Sequence, residues 1–266
     1  PHTAFRATFE SGLMKMLAIG LGCQIGAEVC HREGILKLGQ NVEKLAFGVM
    51  EHAKVLFGVG IVENAYHQTK LLKIIPARMI PSEEPRLLEI AKQNTAGILI
   101  PEADVLIVDQ IGKDVSGEGM DPNVTGRWIV PTINGGIDAT RVAVLDITED
   151  TLGNVVGLGM ADVCSKQVVD KMSRENTYPN SLTSTVTSLC KIPMYFDNHK
   201  LTIQAAIKMT PEKAPTEVTV VRIANTLALD SIMVSENLIP FVQQNPQMEL
   251  LGVSQAMTFD ESDNLF

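Results

Sequence analysis

One lysine stands out by its surroundings. Lys15 sits among Leu13, Met14, Met16, Leu17, Ala18 and Ile19, and the nearest preceding acid is Glu10. On a helix its neighbours one turn away are Ser11, Gly12, Ala18 and Ile19, and none of these side chains pairs an ammonium. Two readings are open. The stem can lie along apolar surface with its head in water. Alternatively the amine does chemistry, either desolvated as a nucleophile or covalently acylated, which removes the charge and the burial problem together.

Of the five histidines, His52 and His67 read as surface or satisfied core residues, and His199, after Asp197 and Asn198, reads as part of a helix start. His2 and His31 could each bind a metal through neutral imidazole. Neither has a second ligand three or four residues away, so an all-protein cage is not expected, and a metal on one histidine needs a cofactor to supply its other donors. Cys23, Cys30, Cys164 and Cys190 are scattered without a C-x-x-C pair, which points away from zinc ribbons and iron–sulfur clusters and toward a reducing cytosol.

A second candidate is the loop Asp109 to Arg127, DQIGKDVSGEGMDPNVTGR. It follows the carboxyl end of an expected strand, where open α/β sheets place ligands. Lys113 and Arg127 could clamp a small carboxylate, Arg127 bidentately. The competing reading is a solvated loop in which Asp121-Pro122-Asn123 is ordinary turn chemistry. The glycines of GNVVGLG (Gly153, Gly157, Gly159) do not follow the G-x-G-x-x-G order of a dinucleotide site.

The elements that must position these residues belong to a chain of 266 residues, 45% hydrophobic and 20% charged, with 33 glycines and prolines. That length builds one or two domains with real cores and excludes disulfide-stapled miniproteins, disorder and collagen-like repeats. A net charge of −9 disfavours nucleic acid and anionic lipid as partners. No run approaches a membrane span, and residue 1 is Pro in mid-pattern, so the chain is expected to begin inside a longer protein.

Residues 11–19 read as a helix broken by Gly20 and Gly22, and 27–35 as a further short segment. Val42, Leu45, Ala46, Val49, Ala53 and Leu56 form the apolar stripe of an amphipathic helix, and 56–62 (LFGVGIV) reads as a buried strand. Ser82-Glu83-Glu84-Pro85 reads as a helix start. The runs DVLIVD (104–109), RVAVLD (141–146) and VTVVRI (218–223), with helices after Asp162 and Asp197, give the alternation of a parallel sheet covered on both faces. The expected fold class is α/β: two α/β domains, the second a Rossmann-like mostly parallel sheet, with the active-site cleft between them. The expected boundaries are 1–102, 103–235, and a tail 236–266 returning to the first domain.

His2, Ser11-Gly12, Lys15 and His31 occur in the order and approximate spacing seen in the nickel-pincer lactate racemase family. The segments PHTAFRATFESGLMKMLAIGLG, IVENAY, DQIGKDVSGEGMDPNVTGR and VVRIANTL resemble its lactate-racemase-like branch over nearly the whole chain. The resemblance implies a cytoplasmic isomerase that inverts a 2-hydroxy acid by taking and returning the Cα hydride. It implies a nickel-pincer nucleotide, a sulfur-bearing pyridinium mononucleotide tethered on Lys15, with nickel on His31 and the phosphate near Ser11 and Gly12. His2 would be one of two acid/base histidines, the other lying upstream, and Lys113 and Arg127 would hold the substrate carboxylate. The implied partners are a small 2-hydroxy acid and cofactor-synthesis enzymes. The chain departs from the family at Leu13 and Met14, where glycine and arginine are usual. Two alternatives accompany this reading: nickel-independent carboxylate chemistry on the same fold, or a non-catalytic hydroxy-acid-binding protein.

Overall fold

The computed structural model describes residues 3–66 and 68–265. His2 and His67 lie outside them. The described chain is α/β, with a mixed, mostly parallel six-stranded sheet and a small antiparallel sheet, and it forms two compact units. Unit 1 comprises 1–96, 130–133 and 179–187; unit 2 comprises 97–129, 134–178 and 188–266.

In unit 1, helix α1 (Leu13–Lys15) continues as a π-helical turn, Met16–Gly20, and α2 (Cys23–His31) follows after a 107° bend. The bend requires glycine. A Cβ on Gly22 or Gly26 would stand 2.5 or 2.6 Å from the Ala18 carbonyl oxygen. Among the described residues no single helix is long and apolar enough to cross a membrane, although this bent pair passes on length and composition.

Helix α3 (Leu38–His52) buries Leu38, Val42 and Ala46, as the 3-4-7 stripe requires. Strands β1 (Phe57–Glu63) and β2 (Thr69–Pro76) pair antiparallel, and α4 (Ile80–Gln93) packs on them. The 56–62 run is a strand, but it is not a buried one. Phe57, Val59, Ile61, Leu72 and Ile74 share its outward face and are exposed, while Val62 and Ile75 point into the core. α4 starts two residues before the expected Ser82, with Pro81 in its first turn, and the Ser82 hydroxyl donates to the Met79 carbonyl at 3.0 Å.

Unit 2 is built on β3 (Glu102–Ile111), β4 (Asp138–Ile147), β5 (Val163–Ser165), β6 (Met194–Phe196), β7 (Val220–Ile223) and β8 (Met233–Val234). Their order is β6-β5-β4-β3-β7-β8, with only β8 antiparallel to its neighbour. The helices of this half of the chain are α5 (Pro122–Thr125), α6 (Lys166–Lys171), α7 (Arg174–Ser184), α8 (His199–Lys208) and α9 (Ile239–Gln244). The continuous apolar runs have the cause expected of them. Leu106, Val108, Val142 and Val144 enter one core, and Val105, Ile107, Ala143 and Leu145 enter the core on the opposite face with α8. The tail, for which the sequence reading expects a return to the first domain, lies with unit 2, where Phe259 and Leu265 pack against this second core.

Candidate functional site

In unit 1 the candidate residues sit on the bent helix pair. Lys15 ends α1, half-buried, with its Nζ 5.9 Å from the Phe5 ring centroid, a cation–π distance. Phe5 is held there by a buried N-terminal segment in which Thr3, Ala4, Phe9 and Glu10 are also inside. The charge of Lys15 reaches the next helix. Burial pushes the Cys30 thiol up, and the nearby Lys15 ammonium pulls the other way. Cys30 directly precedes His31. The His31 Nδ1 lies 2.7 Å from the Ala27 carbonyl oxygen. A carbonyl accepts only, so Nδ1 donates to it, which leaves Nε2 as the nitrogen through which the ring would bind a metal. His52 makes the same contact with Gly48 at 2.9 Å, so the contact follows from helix geometry and is not peculiar to a metal site.

Ser11 is exposed and Gly12 is the N-cap of α1, without a side-chain cap of its own. The cap comes from 70 residues away. Glu84 on α4, 4% exposed, accepts the Met14 N–H at 2.8 Å through Oε2. Its Oε1 is buried with no hydrogen-bond partner, and burial pushes the carboxyl up, opposed by the backbone N–H groups of Met14 and Leu13. A carboxyl group therefore sits where the sequence reading brings a phosphate, at the positive end of the helix. Glu10 is likewise inside, with Lys92 at 3.2 Å and Arg6 at 3.7 Å compensating it.

In unit 2 the two expected clamps are not brought together. Lys113 lies at the carboxyl end of the sheet, its backbone N–H on Thr151 Oγ1 at 2.9 Å and its Nζ on the Gly117 carbonyl at 2.7 Å. Arg127 lies at the amino end of β4, donating to the carbonyls of Ala139 at 3.1 Å and Thr140 at 3.3 Å and to Asp162 at 2.7 Å. About eight residues of extended strand, roughly 26 Å, separate these ends, so one small carboxylate cannot bridge them. Gly126, in a left-handed conformation at φ 70°, turns the chain away after α5 and sends Arg127 there.

Gly153, Gly157 and Gly159 pack closely against backbone. A Cβ on Gly157 would overlap the Glu118 carbonyl, which explains GNVVGLG without a nucleotide. Sequence reasoning passes over Glu84, which it reads only as part of a helix start, and Arg222. The Arg222 Nε donates to Asp109 at 2.8 Å near the carboxyl ends of the paired strands β3 and β7. This is the switch point of the sheet, since β4 flanks β3 on one side and β7 on the other. A lone arginine inside the run VTVVRI is the available signal.

Among the described residues no three His, Cys, Asp or Glu side chains are grouped to hold a metal. A metal on His31 would thus draw its remaining donors from a cofactor or solvent. No protein-family model, curated protein or solved structure matches the chain.

Proposed function

We propose that the protein is a racemase or epimerase of a 2-hydroxy carboxylic acid that works with a nickel-pincer nucleotide tethered on Lys15. The observation that carries this reading is the nearness of Lys15 to the α2 terminus: its charge is felt at Cys30, and the adjacent His31 ring is oriented through Nδ1, which leaves Nε2 for a metal. By donor chemistry the amine suits a covalent acyl link and the imidazole suits nickel. The phosphate end of such a group does not fit at Ser11 and Gly12, because the Glu84 carboxyl already takes the Met14 N–H. When bound, the group would supply a hydride acceptor for the substrate. On this reading His2 accepts the hydroxyl proton. Arg127 is engaged by Asp162 and the Lys113 Nζ by the Gly117 carbonyl, so the carboxylate clamp is not part of this reading. The same reading takes the six-stranded sheet as Rossmann-like, the protein as cytoplasmic, and the cofactor-synthesis enzymes as partners.

Glu84 also favours a second reading, a hydroxy-acid enzyme or binding protein of this fold that uses no nucleotide. One experiment separates them. Protein co-produced with cofactor-synthesis enzymes is given single enantiomers of 2-hydroxy acids and followed by chiral chromatography. The first reading predicts inversion that Lys15→Ala and His31→Ala abolish. Hydroxy-acid binding that survives both substitutions, without inversion in the parent, contradicts it.

A further inference from the structure

In unit 2 a small hairpin closes over the start of α8. Phe259 and Leu265 pair across it, and Asp260 turns it, accepting the backbone N–H of Ser262 at 2.8 Å and of Asn264 at 2.9 Å. Its docking uses the first two residues of the helix. The His199 N–H donates to Asn264 Oδ1 at 3.1 Å and the Lys200 N–H to the Asp263 carbonyl at 3.1 Å. Lys200 Nζ lies 2.8 Å from Asp263 and 5.8 Å from the Phe259 ring centroid. These contacts satisfy helix N–H groups that lack intrahelical partners.

The remaining contact depends on protonation. The Leu265 N–H donates to His199 Nδ1 at 3.2 Å, and only a neutral imidazole with its proton on Nε2 can accept it. His199 is 8% exposed, and its Nε2 has no hydrogen-bond partner among the described residues. We propose that the 259–265 hairpin is an acid-released latch: a proton on Nδ1 removes the acceptor for Leu265, turns a donor against a donor, and frees the hairpin from α8.

Charged groups face the ring from three strands. Asp146 on β4 and Asp109 on β3 favour the imidazolium, as does the Leu145 carbonyl, which already accepts the Ser165 hydroxyl. Arg222 on β7 opposes it. Asp146 and Asp109 are themselves bound to Lys171 and Arg222, which limits their pull. On α8 itself Lys200 is bound to Asp263. Burial is the largest influence and holds the imidazole below the usual histidine range. A base depressed in this way contributes its docking strength fully above its ordinary value near 6.5 and loses it as pH falls toward the depressed value.

Hydrogen exchange of the whole chain, corrected for intrinsic pH dependence, tests the latch. Exchange in 259–265 should rise about tenfold between pH 7.5 and 5.0 while β3 and β4 stay protected. His199→Asn offers an acceptor that does not titrate and should keep the hairpin docked at both pH values. His199→Phe offers none and should leave it undocked at both. A wild-type hairpin indifferent to pH overturns the proposal. So does pH sensitivity that persists in His199→Asn, which would move the trigger to Asp260 or Asp263, or a docked hairpin in His199→Phe.

Discussion

Gly12 and Glu84 should be energetically coupled, and the sign of the coupling follows from their packing. A Cβ on Gly12 would lie 2.6 Å from Glu84 Cδ and 3.0 Å from Cγ, with Oε1 closer still. Glu84 cannot retreat without breaking its 2.8 Å bond to the Met14 N–H. Gly12→Ala should therefore cost about 1–3 kcal/mol, the range for overpacking a closed site. Glu84→Ala leaves the Met14 N–H without its acceptor and should cost about 1–3 kcal/mol by itself. In the double variant the methyl group added at position 12 enters the volume vacated by the carboxyl. The two costs should then fall short of additivity by about 1–2 kcal/mol. Because two units need not unfold together, the assay is native-state hydrogen exchange of the amides in α1 and α4, not a global melt. Each single variant should accelerate exchange by about 5- to 150-fold at about 1.4 kcal/mol per factor of ten, and the double variant by less than the product of the two. Costs that add to within about 0.5 kcal/mol would refute the contact.

Glu84→Gln removes a buried acid whose native affinity for its proton is raised. In the parent, stability of unit 1 should decline as pH rises from the ordinary carboxyl range through the raised native value, and in the variant this decline should flatten, as urea titrations across pH would show. Arg127→Ala removes the Nη2 that reaches Asp162 and two carbonyls and should cost about 1–3 kcal/mol in thermal denaturation, whereas Lys113→Ala should stay within about 0.5 kcal/mol. Adjacent residues of β2 should differ sharply in native-state hydrogen exchange of unit 1. Ile75→Ala, at 1% exposure, should cost about 2–5 kcal/mol, and Ile74→Ala, at 68%, within about 0.5 kcal/mol.

Where an element's character is local, it is legible in the sequence. The α3 stripe buries Val42 and Ala46, and the runs DVLIVD and RVAVLD are neighbouring parallel strands with a core on each face. Strand β2 escapes a sequence reading because Lys70 and Lys73 interrupt it. Its side chains alternate across a ribbon covered on one face only, and the lysines reach Asn94 and Glu83. The sequence makes β1 look buried because an unbroken apolar run carries no record of which face a neighbour covers. Of the candidate site, the oddity of Lys15 in an apolar helix is visible, but its ring contact with Phe5 and its influence on Cys30 arise from folding. Glu84 as the cap of α1 is invisible because 70 residues separate donor and acceptor. The separation of Lys113 from Arg127 turns on Gly126, whose left-handed φ redirects the chain.

The racemase reading turns on whether the Lys15 amine carries a covalent sulfur-bearing nucleotide. Peptide mass spectrometry of protein matured alongside the cofactor-synthesis enzymes, with nickel quantified on the same sample, measures this directly. An adduct confined to the Lys15 peptide, with about one nickel per chain that His31→Ala removes, is the predicted result. An unmodified Lys15 and no nickel in protein that nevertheless inverts or binds 2-hydroxy acids would contradict it.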